Sequence, residues 1–276
     1  MKSNSGYLSP VPLIRGFTLM ELLVVVSIVA VLAAIIFPVY QNVSLKGKMV
    51  SEIQAGRSLI TGYLAAASDR DGQLPGGYDR SVTEVRLPDG TTQGSPISNR
   101  YPYRLLPYLG NKVEGTLLVN DNAQSIESDN SYMISCYPAF GINYLFVGGD
   151  IMGNGTLSYP AECISRPGIA ETSPLVFVSA AGDTGGRKIR GYCLLTPPRT
   201  TGAMWSSDKW TRESFAAEFG NVDARYSSKA ICVFLDGSVK QLGVEELRDM
   251  RLWSRNASLE NNPSYTIPPS APPKGR

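Results

Sequence analysis

Hydrophobic positions are unevenly placed along this chain. Leu22 to Phe37 is a run of 16 residues in which Ser27 is the only polar side chain. Across the 29 residues from Phe17 to Leu45, Glu21 carries the only charge. The 23 residues from Phe17 to Val39 make roughly 35 Å of helix, enough to cross a hydrocarbon core of about 30 Å. A core helix of a water-soluble domain would keep a polar face, and this run has none, so membrane insertion is the expectation. Pro38 is expected to kink the helix, because its ring clashes with the preceding turn. Beyond it the pattern becomes amphipathic. Met49, Ile53, Gly56, Ile60, Leu64 and Ala67 recur every three or four residues, which predicts that the helix continues with this stripe against a core. Gly47, Gly56 and Gly62 weaken it by up to about 1 kcal/mol each, so tertiary packing must hold this half in place.

After Ser68 the texture changes. Asp71-Gly72, Pro75-Gly76-Gly77 and Pro88-Asp89-Gly90 mark turns and loops. Arg104 to Gly110 reads as one helical turn stopped by glycine, and the runs 141–147, 175–179 and 189–195 read as strands. The sharpest signal is a hairpin. Lys229 to Leu235 and Ser238 to Leu242 flank Asp236-Gly237, the preferred chemistry of a two-residue type I′ turn. Gly243 to Arg255 predicts a closing helix, with Glu245 and Glu246 early and Arg248, Arg251 and Arg255 late, as the helix dipole favours. Residues 256–276 hold five prolines and no apolar period, which predicts a disordered tail or tether. The pattern predicts an α+β chain: a long N-terminal helix, membrane-spanning over 17–40 and amphipathic over 41–68, then a head over 69–255.

Composition narrows function by exclusion. Hydrophobic residues make up 43% of the 276, so a core is within reach. The formal charge of +2 argues against nucleic acid as a partner. There is no histidine, which removes His-based triads, proton shuttles and His-ligated metal sites. No G-x-S-x-G motif and no CxxC pair occur, so neither an enzyme nor a cysteine metal site is indicated. Trp205, Trp210, Tyr101, Tyr103 and Tyr108 could line a carbohydrate or partner surface, although core packing is the usual fate of aromatics. Residues 1–16, with Lys2 and Arg15 as their only charges, are similar to the basic start of a signal peptide. The apolar stretch is longer than such signals use, and Glu21 sits at its entrance, where a carboxylate is costly without a partner.

Gly16-Phe17-Thr18-Leu19-Met20-Glu21, followed by Leu22 to Val26, resembles the type IV prepilin motif, and Pro38 falls where pilin helices often carry a kinking proline. The resemblance implies a pilin-like fold, the long helix packed on a mainly antiparallel β head. It implies that prepilin peptidase removes residues 1–16 by cutting between Gly16 and Phe17 on the cytoplasmic side, then N-methylates Phe17. Glu21 of one subunit would pair with the new amine of a neighbour, so that two groups costly in lipid offset each other. The implied partners are prepilin peptidase, other pilin or pseudopilin subunits and an inner-membrane assembly platform. The implied location is a single pass of the inner membrane, with the head periplasmic or in a filament. A type II secretion pseudopilus or type IV pilus-like filament is the first functional reading. A membrane-anchored adhesin that uses the pathway for sorting is the second.

A second likeness lies near the hairpin. Many bacterial pseudopilin-like proteins end in His-x9-Asp-Gly, often preceded by Arg; here Arg225-Tyr226 is followed by nine residues and then Asp236-Gly237, with Tyr226 in place of His. Asp69 to Gly76 resembles the Asp-x-x-Gly-x-Leu-Pro loop of the same group. Some pseudopilins bind calcium, which keeps calcium open at Asp69 to Gly72, although no Glu follows at the required spacing. No other cofactor is implied. A periplasmic head permits disulfides, and Cys136–Cys163 with Cys193–Cys232 is the favoured pairing, against buried free thiols.

Overall fold

The computed structural model describes residues 17–127, 129–169, 172–200 and 204–268. Its contacts divide the chain into two units, residues 1–46 and 47–276. In the first unit the helix α1 (Leu19–Ser68) begins, and every residue from Phe17 to Val43 is exposed. An 18-residue window of this helix reaches a mean hydropathy of 3.1 with none of it buried, so length and composition suit a membrane. Pro38 lies inside the helix, which carries on to Ser68.

In the second unit α1 acquires a buried face that includes Gly56, Ile60 and Ala67 of the predicted stripe but is centred differently. Glu52, Ala55, Gly56, Leu59, Ile60, Tyr63, Ala66 and Ala67 are buried, while Met49, Ile53 and Leu64 are only half-buried. The true stripe sits about one position earlier. Its centre holds a carboxylate and several small residues, so hydrophobicity alone misplaces it. The glycines are points of close approach. A Cβ on Gly56 would stand 2.9 Å from Val233 Cγ2 and 3.3 Å from the Phe140 ring, and one on Gly62 would stand 2.7 Å from Leu109 Cδ2. Gly56→Ala is therefore expected to lower the thermal midpoint of the full chain in detergent. Overpacking costs about 1–3 kcal/mol, against about 1 kcal/mol gained in helix propensity; a raised midpoint would refute the close-approach reading.

The head is built from short strands: β1 (Tyr78–Asp79), β2 (Val85–Arg86), β3 (Thr92–Gln93), β4 (Phe140–Ile142), β5 (Asp150–Ile151), β6 (Leu175–Ser179), β7 (Ala181–Thr184), β8 (Arg187–Arg190), β9 (Lys229–Phe234) and β10 (Val239–Gly243). The central sheet has the order β10-β9-β6-β4 and is antiparallel throughout, with a register shift between Leu175 and Phe177. β2–β3 and β7–β8 are antiparallel ribbons, and β1–β5 is a parallel pair. All five residues of β6 are buried, which makes it the spine of the core. Among the described residues the head also holds five short α-helices: α2 (Tyr101–Leu105), α3 (Asp121–Ser125), α4 (Ser131–Cys136), α5 (Val244–Leu247) and α6 (Arg255–Leu259). The fold is α+β and pilin-like, with the long apolar helix and the mostly antiparallel head that were expected.

Several local expectations are corrected. The Asp236-Gly237 hairpin forms between β9 and β10, but its loop has three residues. Phe234 N–H donates to Ser238 O at 2.9 Å, and of the loop residues only Gly237 has positive φ, 83°. This is a type I turn closed by a left-handed glycine. The reason is tertiary: Leu235 is buried, and its N–H donates to Pro174 O at 3.0 Å. The predicted closing helix is broken into α5, a 3-10 turn at Met250–Leu252 and α6. Trp253 is fully buried and its Nε1–H donates to Leu247 O at 2.8 Å, a contact that a straight helix would not make. The tail is folded as far as it is described. Tyr265 and Ile267 are buried, Met250 N–H donates to Pro263 O, and the Tyr265 hydroxyl donates to Glu162 at 2.8 Å; two apolar side chains among the prolines supply the anchorage that composition concealed.

The favoured disulfides are absent, and all four cysteines are free thiols. Cys136 neighbours Cys193, whose N–H donates to Cys136 O at 2.9 Å, so both proposed pairings divide the two residues that meet. Burial pushes the Cys163 and Cys193 thiols up to about 12, keeping them protonated.

Candidate functional site

Two sets of residues carry the functional argument, one in each unit. The first is the helix start. Thr18 is the N-cap of α1 and Glu21 stands three residues on. Glu21 N–H donates to Thr18 Oγ1 at 3.2 Å, while Glu21 Oε2 accepts from the Thr18 N–H at 2.9 Å and from its hydroxyl at 2.8 Å. This reciprocal pair is a capping box, and it satisfies two orphan donors at the helix end. The Thr-x-x-Glu spacing therefore has a local reason, and the carboxylate is held at the end of the apolar rod. Phe17 is 77% exposed. Gly16, the predicted residue before the cut, lies outside the described residues.

The second set ties α1 to the sheet. Glu52 and Arg225 are buried, with side chains 2% and 5% exposed. Arg225 Nε donates to Glu52 Oε2 at 3.1 Å and Nη2 to Glu52 Oε1 at 2.7 Å. Nη1 donates to Asp223 Oδ2 and Ala180 O, and Nη2 also to Ala139 O, each at 3.1 Å. All five guanidinium hydrogens thus have an acceptor, which is what a buried charge requires. Glu52 also accepts from the hydroxyls of Ser179 and Tyr226. Asp223 is balanced by Lys188, 3.3 Å away. Two carboxylates and two cations make the cluster neutral. Burial by itself would lower the Arg225 guanidinium, but the Glu52 and Asp223 charges outweigh it and hold it above the usual arginine value. Burial, with the Glu52 charge beside it, pushes the Tyr226 phenol up, so it stays a donor.

Arg225 and Tyr226 reach Glu52 because the chain reverses immediately after them. Tyr226 and Lys229 exchange both backbone hydrogen bonds at 3.0 Å, and Ser227 and Ser228 both have positive φ, 52° and 61°. This is the two-residue I′-type turn expected at Asp236-Gly237, displaced to a Ser-Ser pair that composition does not mark as a turn. The sequence singled out Arg225-Tyr226 but not their partner. A lone Glu at position 52, between apolar residues on a helical stripe, was the available signal.

The Asp69 to Gly72 loop closes α1. Asp71 is left-handed at φ 52°, and Gly72 N–H donates back to Ala67 O at 2.9 Å. Among the described residues no group of three acidic or cysteine side chains could hold a metal ion.

Comparison with known proteins bears on the first set. Residues 13–37 match the family profile described as "Prokaryotic N-terminal methylation motif". The chain is type IV prepilin-like at its N-terminus. It is similar to Fimbrial protein Q of Moraxella bovis, at 35% identity over 89 residues, covering 31% of this chain and 54% of that protein. It is also similar to a Fimbrial protein of Pseudomonas aeruginosa, at 36% identity over 87 residues, covering 28% of this chain and 54% of that protein. The chain spans about half the length of these relatives. No solved structure matches it.

The prepilin-like match runs from before Gly16 through Phe37 and so contains Phe17, the Thr18–Glu21 capping box and the whole apolar run. The aromatics named earlier have gone mostly to the core: Tyr101 and Trp205 are buried, and their polar tips donate to Phe140 O at 2.6 Å and Thr196 O at 3.0 Å.

Proposed function

We propose that this protein is a pilin-like structural subunit of a type II secretion pseudopilus or type IV pilus-like filament. The observation that carries the reading is an apolar helix of transmembrane length, exposed along its first half, with one carboxylate held at its N-terminal end inside a prepilin methylation motif. Such a helix needs lipid or copies of itself around it. The names of the two relatives, both fimbrial proteins, support a filament.

In this reading residues 1–16 are cytoplasmic and are removed by prepilin peptidase, which methylates Phe17. The helix then anchors the chain once through the inner membrane, and the head lies in the periplasm until an assembly platform passes the subunit into a filament. The work is mechanical rather than enzymatic, and it needs no cofactor. The mature N-terminus tests this directly. Mass spectrometry of the protein from its native membrane is expected to find N-methylated Phe17. An intact Met1, or a cut after the apolar run, would overturn the reading.

A further inference from the structure

The Glu52–Arg225 cluster ends in a lysine whose bonding is incomplete. Arg225 finds an acceptor for each of its guanidinium hydrogens, but Lys188 does not. Lys188 Nζ is closed off from solvent and makes no hydrogen bond among the described residues. An ammonium carries three N–H donors, and burying them bare is costly. Asp223 Oδ1 stands 3.3 Å from Nζ, at an angle that makes no hydrogen bond. The Trp210 ring lies under Nζ, its centroid 5.2 Å away, and helps to keep water out.

A second buried atom beside it is also left over. Asp183 faces Lys188 directly across the β7–β8 ribbon, which puts the two side chains on one face. Asp183 Oδ2 accepts from the Ala217 N–H at 3.0 Å, whereas its Oδ1 is buried without a partner. Opposite charges on facing positions ordinarily pair; here each leaves a buried atom unbonded. Asp223, in contrast, is fixed. Its N–H donates to Ser179 O at 2.9 Å, and its Oδ2 accepts from Arg225 Nη1 at 3.1 Å. The guanidinium draws electron density from this carboxyl group, as an oxyanion-stabilising donor does. A nitrogen held this close to a carboxyl group, with no hydrogen bond tying it to the oxygen, is free to turn onto the carbon.

We propose that Lys188 and Asp223 become joined by an amide bond in the folded head. The Lys188 nitrogen bonds to Asp223 Cγ, the Cγ–Oδ1 bond breaks, and Oδ1 leaves as water. Of the three ammonium hydrogens, one stays on the amide nitrogen and two depart with the water, carried across by the unpartnered Asp183 Oδ1. Nothing is oxidised or reduced, and no co-reactant enters. Oδ2 remains as the amide oxygen and keeps its Arg225 N–H. Two buried charges are exchanged for one neutral link, and Glu52 with Arg225 is left as a balanced pair. The bond requires neither leader cleavage nor filament assembly.

Tryptic mapping of the full chain, purified in detergent, tests this. The expected product is one branched peptide, residues 188–190 joined to residues 213–225, uncut after Lys188 and lighter than its two parts by one water. Linear peptides alone, or Lys188 joined to Asp183, would overturn the proposal. Lys188→Arg keeps the charge but cannot form the bond. Its digest should be wholly linear and its thermal midpoint roughly 10 °C lower, because the unfolded chain regains the freedom of the loop between residues 188 and 223. Asp183→Asn keeps the shape but carries no proton. It is expected to cut the branched fraction at least about tenfold, with a wild-type circular dichroism spectrum to show that the head is folded. A fully branched Asp183→Asn, or equal midpoints for the parent and Lys188→Arg, would also overturn it.

Discussion

Arg225→Met is expected to cost the head about 3–5 kcal/mol, the usual penalty for removing one partner of a buried ion pair. Total stabilities of roughly 5–15 kcal/mol are typical, so the loss would leave little of the fold. Removing the guanidinium strands Glu52, whose side chain is 2% exposed, with only the hydroxyls of Ser179 and Tyr226. It also takes acceptor duty from Asp223 Oδ2, Ala180 O and Ala139 O. Arg225→Lys keeps a charge but loses the planar fork, and should fall between the two. The double variant Glu52→Met/Arg225→Met should recover more than half of the loss, because two apolar side chains of similar volume need no pairing, and Asp223 keeps Lys188. Denaturant midpoints of the four proteins measure the series. A loss under about 0.5 kcal/mol for Arg225→Met, the size of an ordinary surface substitution, would mean that the cluster does not hold α1 to the sheet.

Glu21→Ala is expected to abolish incorporation into filaments while leaving membrane insertion and cleavage intact. The capping box complicates this variant, because alanine removes two things at once: the acceptor that closes the helix end onto Thr18 and the negative charge. Glu21→Gln separates them. A glutamine can still accept from the Thr18 N–H but cannot pair electrostatically with a neighbour's amine. If charge pairing drives assembly, both variants fail to yield crosslinked ladders of subunits in native membranes. If only the cap matters, Glu21→Gln assembles like the parent and the pairing idea is lost. Normal assembly of Glu21→Ala would remove both.

The N-terminal half was legible because its signal is one-dimensional. A membrane span is read from residues that adjoin in the chain, whereas the Thr18–Glu21 capping box, although its two members are only three residues apart, emerged with the structure. The central strands at 175–179 and 229–234 were legible for a related reason: a buried strand is a short apolar run wherever it ends up. The turn beside Tyr226 was not, because two serines adopt positive φ only where the surrounding contacts force them. The Asp236-Gly237 turn was placed correctly and typed wrongly, since the burial of Leu235 decides its length. The stripe on α1 was misphased because Glu52 counts as polar in any pattern and becomes a buried residue only once Arg225 is beside it.

The order of residues alone determined that this protein has an oily N-terminal rod with one acid at its head and an α+β head after it. Each of these depends on short-range steric and solvation preferences. Only the tertiary structure decided which face of α1 is buried, that the four cysteines remain thiols, that the tail docks through Tyr265 and Ile267, and that Glu52 meets Arg225 173 residues away. Those outcomes rest on the desolvation of charged and polar groups, whose cost is set by partners that no local stretch of chain contains.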